Sequence, residues 1–487
     1  MISVFIREQR RYTFDELEEL LAGSRSDLKE ILKQLKLNGI VKNVKKTSEE
    51  ANLSDLTNEE ESYDDSPDKV FYVFTYVGIV AVKDVVLKCC PKYLKKTSDY
   101  NPVLKQALRV IEKYDRQSQQ LDLYSDLGEK MTVNRLAIMI FLLQDYYDYG
   151  LYSEVRDIIA ENGRGEILWD KTVNTVYPII SDGEPFYSTL YTRYHVTDDE
   201  NFFRRLHACI LGEVSKEMEE AGLINLFDIS GLPHSDEKRE DLGDADYILY
   251  RIDREIDIQF NTRKNSLLQA MAIYISNKSI TADAAETFSM FGTTRFNLIW
   301  ENVCNEVFGD ERNIPMGSLL LPQKLNNGYK RTEPLISVIE RPEWCGLTKD
   351  GSYFYQKADK TLIPDFLAIR KLNGKYKFVI LDAKYYNLQF EKNMALKGQP
   401  GIESITKQYL YELAYKDFIQ KHGIESVINC FLFPTEEDTV QDKGYVRLDF
   451  LHSLGLKNIA VRLVPARKIF DDYLADRKID ISILKLS

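Results

Sequence analysis

Leu362-Ile363-Pro364-Asp365-Phe366-Leu367-Ala368-Ile369-Arg370-Lys371-Leu372-Asn373-Gly374-Lys375-Tyr376-Lys377-Phe378-Val379-Ile380-Leu381-Asp382-Ala383-Lys384 reads as a β-hairpin. Asn373-Gly374 is the preferred dipeptide of a two-residue type I′ turn, because both central residues need positive φ. Such a turn sets the register: Leu372 faces Lys375, Ile369 faces Phe378, Leu367 faces Ile380 and Asp365 faces Asp382. Both faces of the arms are apolar, with Leu367, Ile369, Phe378 and Ile380 on one and Phe366, Ala368, Val379 and Leu381 on the other. A hairpin of this kind is expected to be central and buried in its sheet. Pro364 has no N–H for the ladder, so pairing should loosen at its position.

Directly opposed residues carry Cβ atoms about 5 Å apart, and like charges placed so destabilise a sheet. A shared divalent cation removes the conflict. Mg²⁺, with Mn²⁺ as the alternative ion, is held by one or two carboxylates, a carbonyl and waters. Side chains alternate with period two, so Lys384 falls on the face of Asp382. There it can orient or deprotonate an attacking water, or stabilise charge developing on a phosphate. Asp365, Asp382 and Lys384 are therefore the candidate centre for metal-assisted phosphodiester hydrolysis. The plainer reading is a hairpin with acidic residues at its solvated end and Lys384 as their ion-pair partner.

A chain of 487 residues has room for two to four domains. Its longest apolar run, residues 136–143, is too short to span a bilayer, and the N-terminus has no signal-peptide pattern. A cytoplasmic protein without a membrane segment is expected. The six cysteines show no C-x-x-C spacing and the five histidines no ligand spacing, so neither a disulfide framework nor a zinc site is indicated. A net charge of −12 argues against a nucleic-acid substrate. However, residues 47–68 hold nine acidic residues and no Lys or Arg, leaving −3 on the remainder. That block reads as a disordered, solvated loop, with an autoinhibitory DNA mimic as the alternative.

The fold class expected is α+β or α/β, multidomain. Residues 1–98 read as a winged-helix-like unit. Thr13-Phe14-Asp15-Glu16 forms a capping box. Ser24 opens a second helix with Leu28, Ile31, Leu32 and Leu35 at helical spacing, ending at Gly39. Strands at 40–44 and 71–82 flank the acidic loop. Arg25, Lys29, Lys33, Lys36, Lys42, Lys45 and Lys46 either contact DNA phosphates or line the solvated face of a protein-docking domain. Residues 99–289 are mostly helical in pattern, broken by a loop-like stretch around 163–170. In residues 290–487, a helix from Thr293 presents Phe296, Ile299, Trp300, Val303 and Val307 on one face, with Glu301 at its margin. After the hairpin, a helix over 402–420 places Gln408, Tyr411 and Tyr415 on one face, and 427–433 and 459–464 are apolar strands.

Glu301 on a helix, Pro364-Asp365, Asp382-Ala383-Lys384 and then Gln408-Tyr409-Leu410-Tyr411 resemble the PD-(D/E)xK nuclease superfamily, the last element resembling the Q-x-x-Y helix of its RecB-like branch. More narrowly, three stretches resemble the LlaJI-type restriction endonucleases and the related McrC subunits. They are Val77-Gly78 with Pro91-Lys92-Tyr93, residues 165–172 (Gly-Glu-Ile-Leu-Trp-Asp-Lys-Thr), and Leu381-Asp382-Ala383-Lys384-Tyr385-Tyr386. The resemblance implies that Asp365 and Asp382 bind Mg²⁺ with the Ala383 carbonyl, that Lys384 is catalytic, and that Glu301 adds a ligand. Gln408 and Tyr411 would support the site or contact the DNA backbone. It also implies a DNA endonuclease subunit of a restriction or anti-phage system working beside a McrB-like AAA+ GTPase, with residues before 290 supplying docking or target recognition. No G-x-x-x-x-G-K-[ST] loop occurs here, so the motor would be another chain. Double-strand cleavage would need two sites, hence a homo-oligomer or converging complexes. A RecB-like repair nuclease and a non-catalytic DNA-binding adaptor are the rival readings, and the intact Asp365, Asp382 and Lys384 argue against the adaptor.

Overall fold

The computed structural model describes residues 2–21, 25–45, 70–83, 85–117, 135–198, 200–227, 237–280 and 288–486. The acidic block at 47–68 and the Ser24 helix start lie outside them. The chain begins with β1 (Ile2–Arg7) and β2 (Arg11–Tyr12), followed by α1 (Phe14–Leu21), α2 (Arg25–Leu37), β3 (Val41–Lys45) and β4 (Val70–Phe74). Then come β5 (Val77–Val82), β6 (Val85–Cys90) and α3 (Asn101–Gln117). The middle holds α4 (Arg135–Tyr149), β7 (Val155–Glu161), β8 (Glu166–Ile167), α5 (Trp169–Thr175), β9 (Ile179–Ser181), β10 (Glu184–Phe186) and β11 (Tyr191–Thr197). It ends with α6 (Phe202–Glu220), α7 (Ala245–Ile258) and α8 (Thr262–Ile280). The last part contains β12 (Phe288–Thr293), α9 (Phe296–Phe308), β13 (Glu343–Leu347), β14 (Tyr353–Lys357), β15 (Phe366–Leu372) and β16 (Lys375–Ala383). It closes with α10 (Ile402–Ala414), α11 (Lys416–Lys421), β17 (Ser426–Thr435), β18 (Gln441–Val446), α12 (Asp449–His452), β19 (Ile459–Pro465) and α13 (Ala466–Leu474). Two compact units result, one from residues 2–130 with 290–487 and one from 131–289.

In the first unit the capping box forms as expected: Glu16 N–H donates to Thr13 Oγ1 (3.2 Å) and Thr13 N–H to Glu16 Oε2 (2.9 Å). Gly39, at φ 69°, ends α2, and Ile40 N–H turns back to the Leu35 carbonyl. Helices α1 and α2 accompany a three-stranded sheet ordered β2-β4-β3. The apolar run at 71–82 is divided, because β5 leaves that sheet for a second one ordered β1-β6-β5-β12. This joins the first residues of the chain to residue 288 and beyond. A Cβ at Gly78 would lie 2.2 Å from the Phe291 carbonyl oxygen, and one at Gly292 would lie 2.2 Å from that of Val77. The two glycines let these backbones close up, which is a physical reason for Val77-Gly78.

The five-stranded sheet of the same unit has the order β15-β16-β17-β19-β18. Asn373 (φ 52°) and Gly374 (φ 83°) make the hairpin turn with the expected signs, and Leu372↔Lys375, Ile369↔Phe378 and Leu367↔Ile380 pair as read from the sequence. Strands β16, β17 and β19 run parallel, and β18 returns antiparallel. Leu367, Ile369, Phe378, Ile380, Phe431 and Phe433 are buried on the face that α10 and α11 cover. The other face turns towards α9 and α13, where Phe296, Trp300 and Phe470 interlock. Burying aromatic and branched side chains from both layers is what makes this sheet a core, at about 25 cal/mol per Å² of apolar area.

One expectation is corrected: the hairpin is buried on both faces but not central, since β15 is the edge strand. Its open edge is covered instead. Leu367 N–H donates to Asp310 Oδ1 (3.0 Å), Ile369 N–H to Glu311 Oε2 (2.8 Å), and the Leu367 carbonyl accepts from Glu311 N–H (2.7 Å).

The second unit also departs from the sequence reading. Residues 155–197, within the span expected to be mostly helical, build the sheet β7-β11-β8 and the hairpin β9-β10. Where their burial is described these strands are largely exposed, apolar and polar side chains alike, so the alternation that marks a half-buried strand is missing. Around them α4, α6, α7 and α8 follow the helical pattern. His207, fully buried on α6, accepts a hydrogen bond at Nδ1 from Tyr152 N–H (3.1 Å). Burial, aided by Arg263, pushes its pKa from 6.5 down to about 3. A depressed histidine contributes stability that is full above its unfolded pKa and lost as pH falls towards its folded one. Lowering the pH from 6.5 to 5 should therefore cost about 2 kcal/mol. Thermal melts of His207→Gln should lose that part of the pH slope, and an unchanged slope would refute the assignment.

Candidate functional site

Asp382 and Ala383 end β16, beside Phe431 and Leu432 of the parallel strand β17. The ladder continues one step further, because Lys384 N–H donates to the Leu432 carbonyl (2.8 Å). This rigid backbone sets the alternation that aims Asp382 and Lys384 the same way. Lys384 Nζ stands 2.8 Å from Asp382 Oδ1 and 3.9 Å from Asp365 Oδ2. The β15–β16 ladder stops at Phe366↔Leu381, so Asp365 lies one residue beyond it, just after Pro364. Loss of the proline N–H loosens pairing there, as expected. Arg312 holds this end, with Nη1 donating to the Pro364 carbonyl (3.1 Å) and Nε 2.9 Å from Asp310 Oδ2.

Helix α10 supplies the other supports. Gln408 Nε2 donates to Asp382 Oδ2 (2.9 Å), and its own backbone carbonyl accepts from Asn429 Nδ2 (2.9 Å). Tyr411 Oη donates to the Ile363 carbonyl (3.0 Å), two residues before Asp365. Tyr415 Oη donates to the Leu335 carbonyl (3.1 Å). The shared face read from the sequence is thus real, and its first two members grip the two acidic segments of the site.

The electrostatics reflect three acids around one base. Burial, then the charge of Asp382 and a hydrogen bond with it, raise the Asp365 pKa from 3.8 to about 8, with Glu301 adding to the shift and Lys384 opposing it. Burial raises Glu301 on α9 as well, against the pull of Arg312 and Lys384. Burial alone would pull the Lys384 ammonium down, but Asp382 and Asp365 outweigh it and hold it above its ordinary range. Tyr411 is pushed up to about 12 by burial and by the acids nearby. Asp382 is only 5% exposed, so this negative charge cannot be left to water.

Among the described residues no three His, Cys, Asp or Glu side chains gather closely enough to enclose a cation. Glu301 bears on the pair through its charge, adding to the rise of the Asp365 pKa. The oxygen donors at the end of β16 and before β15 are the two aspartates and the neighbouring backbone carbonyl. Hard oxygen donors of this number suit Mg²⁺ or Mn²⁺, which keep several waters, and do not suit zinc. Asp310, Glu311 and Arg312 escaped the sequence reading, since nothing in their spacing ties them to residues more than fifty positions later.

The chain is a mixed α/β multi-sheet protein that brings two carboxylates and a lysine together at the end of β16. Residues 76–467 match the LlaJI restriction endonuclease family, and the chain belongs to that family. It is 28% identical over 434 residues to the Bacillus subtilis (strain 168) protein named type II restriction enzyme BsuMI component YdjA, covering 88% of this chain and 85% of that one. Among solved structures, it is similar to a half-complex from a tetradecameric assembly of Thermococcus gammatolerans McrB AAA+ hexamers with bound McrC, with 14% identity, a TM-score of 0.35, and coverage of 97% and 99% of the two chains. The Thermococcus gammatolerans McrBC complex matches at 13% identity and a TM-score of 0.23, over 61% of this chain and 84% of that one.

Proposed function

We propose that this chain is the DNA-cleaving subunit of a restriction system, with Asp365, Asp382 and Lys384 as its cleavage centre. The observation that carries this is the meeting of a buried carboxylate, a half-buried one and a lysine, each held by its own support, in a chain of the LlaJI restriction endonuclease family. Asp365, Asp382 and the Ala383 carbonyl would hold Mg²⁺, which supplies an activated water and neutralises phosphate charge. Lys384 is placed to hold the attacking water or to stabilise the charge that develops on the phosphate. Gln408 fixes the Asp382 carboxylate, and Tyr411 and Arg312 fix the backbone before Asp365. Glu301 acts on the pair through its charge.

The subunit is proposed to act on DNA with a McrB-like AAA+ GTPase. Its relative is named a component of a restriction enzyme, and this sequence lacks a phosphate-binding loop of its own. The 131–289 unit exposes Trp169, Val173, Tyr177, Ile179, Ile180 and Phe186 around α5 and the β9-β10 hairpin. So many apolar side chains in one neighbourhood suit a protein interface better than open solvent. No helix among the described residues is long and apolar enough to cross a membrane.

The test is plasmid cleavage by wild type and Asp382→Ala, with Mg²⁺ or EDTA, and with or without any McrB-like GTPase encoded alongside and GTP. Cleavage that needs Mg²⁺ and disappears in the variant supports the proposal, and the GTPase arms report the partner. Equal cutting by both proteins moves the activity to another site or to a contaminant, and none by wild type in any arm moves the assignment to a non-catalytic adaptor. A second expectation concerns Gln408. Gln408→Ala frees one oxygen of Asp382 and should lower Mn²⁺ affinity or cleavage by about 10- to 100-fold. Calorimetric titration with Mn²⁺ measures the first, and unchanged values in both would remove Gln408 from the site.

A further inference from the structure

Lys384 is held from both sides, and the second hold comes from the far end of the chain. Its own N–H is tied to β17, while the next residue, Tyr385, is 3% exposed and inserted between segments distant in sequence. Tyr385 Oη donates to Glu8 Oε2 (2.6 Å) and accepts from Lys92 N–H (3.2 Å). Lys92 N–H also reaches Glu8 Oε2 (3.2 Å), and Lys92 Nζ lies 4.5 Å from the centre of the Tyr385 ring while donating to Gln9 Oε1 (2.9 Å). Two residues on, Asn387 Nδ2 donates to the Lys92 carbonyl (2.9 Å). The Tyr385 ring also tilts against Phe296 of α9, 5.2 Å between centres.

Glu8 directly follows β1 and Lys92 lies two residues past the end of the adjacent parallel strand β6, with Glu8 N–H donating to the Cys90 carbonyl (2.9 Å). Glu8 is 5% exposed and Lys92 4%. A second carboxylate secures the same segment: Glu436, just past β17, accepts from the N–H groups of Lys95, Lys96 and Thr97 and from Thr97 Oγ1. Residues 92–97 thus form a strap across the ends of β16 and β17, where the cleavage centre lies. Apolar packing would fill this space at less desolvation cost but would tolerate sliding. Directional bonds among buried polar groups define one register.

We propose that Glu8 is a positioning residue of the cleavage centre: by fixing Tyr385, it sets the backbone that aims Lys384 at Asp382. This rests on the reading of Asp365, Asp382 and Lys384 as that centre. The N-terminal segment is then a working part of the nuclease as well as a domain attached to it.

The test uses the full chain under conditions where wild type cuts plasmid, comparing Glu8→Leu, Glu8→Gln, Tyr385→Phe and Asp382→Ala. Tyr385→Phe preserves volume and removes only the hydroxyl, so it reports even where Glu8→Leu folds poorly. Tyr385→Phe and Glu8→Leu should cut about 10- to 100-fold more slowly in single turnover, with DNA and Mn²⁺ affinities within about twofold of wild type, because a small misplacement costs rate more than binding. Glu8→Gln keeps an acceptor oxygen and should restore the rate to within about threefold of wild type. Wild-type rates in Glu8→Leu and Tyr385→Phe, with Asp382→Ala inactive, would overturn the positioning role alone. Equal losses in Glu8→Gln and Glu8→Leu would overturn it too. Full activity of Asp382→Ala would overturn the underlying assignment of the centre.

Discussion

Lys384→Met is expected to lower DNA cleavage about a thousandfold, the range for removing one group that stabilises charge in a transition state, while Mn²⁺ binds at least as tightly as to wild type. The reasoning lies in the position of the ammonium, 2.8 Å from Asp382 and 3.9 Å from Asp365. In the metal-free protein it pairs with Asp382 and stands close to Asp365, so its charge opposes that of a cation entering between them. Methionine keeps most of the buried stem and removes the charge, so metal affinity should hold or rise while the rate collapses. Single-turnover cleavage together with calorimetric Mn²⁺ titration separates the two effects. A large loss of Mn²⁺ affinity, or an unchanged rate, would remove Lys384 from its catalytic role.

The second large effect concerns stability. With its pKa raised from 3.8 to about 8 by burial and by Asp382, Asp365 is mainly protonated at neutral pH in the metal-free protein. A carboxyl whose folded pKa exceeds its unfolded one stabilises the fold fully below the unfolded value. That contribution is lost as pH rises through the folded value. The window here is about pH 4 to 8. Metal-free wild type should accordingly melt at lower temperature at pH 9 than at pH 6, and Mg²⁺ should restore most of the difference, more strongly at the higher pH. Asp365→Asn imitates the neutral acid and should stabilise the metal-free protein by about 1–2 kcal/mol above pH 8 while abolishing cleavage, the usual conflict between a charged site and a stable fold. Melts at both pH values with EDTA or Mg²⁺ measure this. An Asp365→Asn protein with the same pH slope as wild type would show that the slope arises elsewhere.

These effects share one origin. Asp382 is placed by a parallel ladder that admits no slack, and Lys384 inherits its direction from that ladder. Asp365 comes from the end of an edge strand where pairing has stopped, so Arg312 and Tyr411 must hold its approach. The site therefore joins one rigid arm to one that is tied down, and loss of a tie should be felt mainly at Asp365.

Much of this centre was legible in the chain itself. Asn373-Gly374 fixes the turn through positive φ, the turn fixes the register, and the register puts Asp365, Asp382 and Lys384 together. Gln408 and Tyr411 are one helical turn apart, which places them on the same face before their targets are known. These are local rules, reaching only a few residues. The exposed strands at 155–197 were missed for the converse reason: without a buried face, there is no alternation to read. The packing of α3 against α9 and α13 joins residues far apart in the chain, which local pattern does not carry.

What the sequence by itself determined is the hairpin, its acidic pair and lysine, and the helix that grips them, because backbone sterics and side-chain periodicity act within short stretches. The tertiary structure alone decided that β15 lies at an edge closed by Asp310 and Glu311, that β5 meets β12, and that Glu8 and Lys92 clasp Tyr385. Those partners are separated by tens to hundreds of residues, and only tertiary packing brings their donors within hydrogen-bond reach of their acceptors.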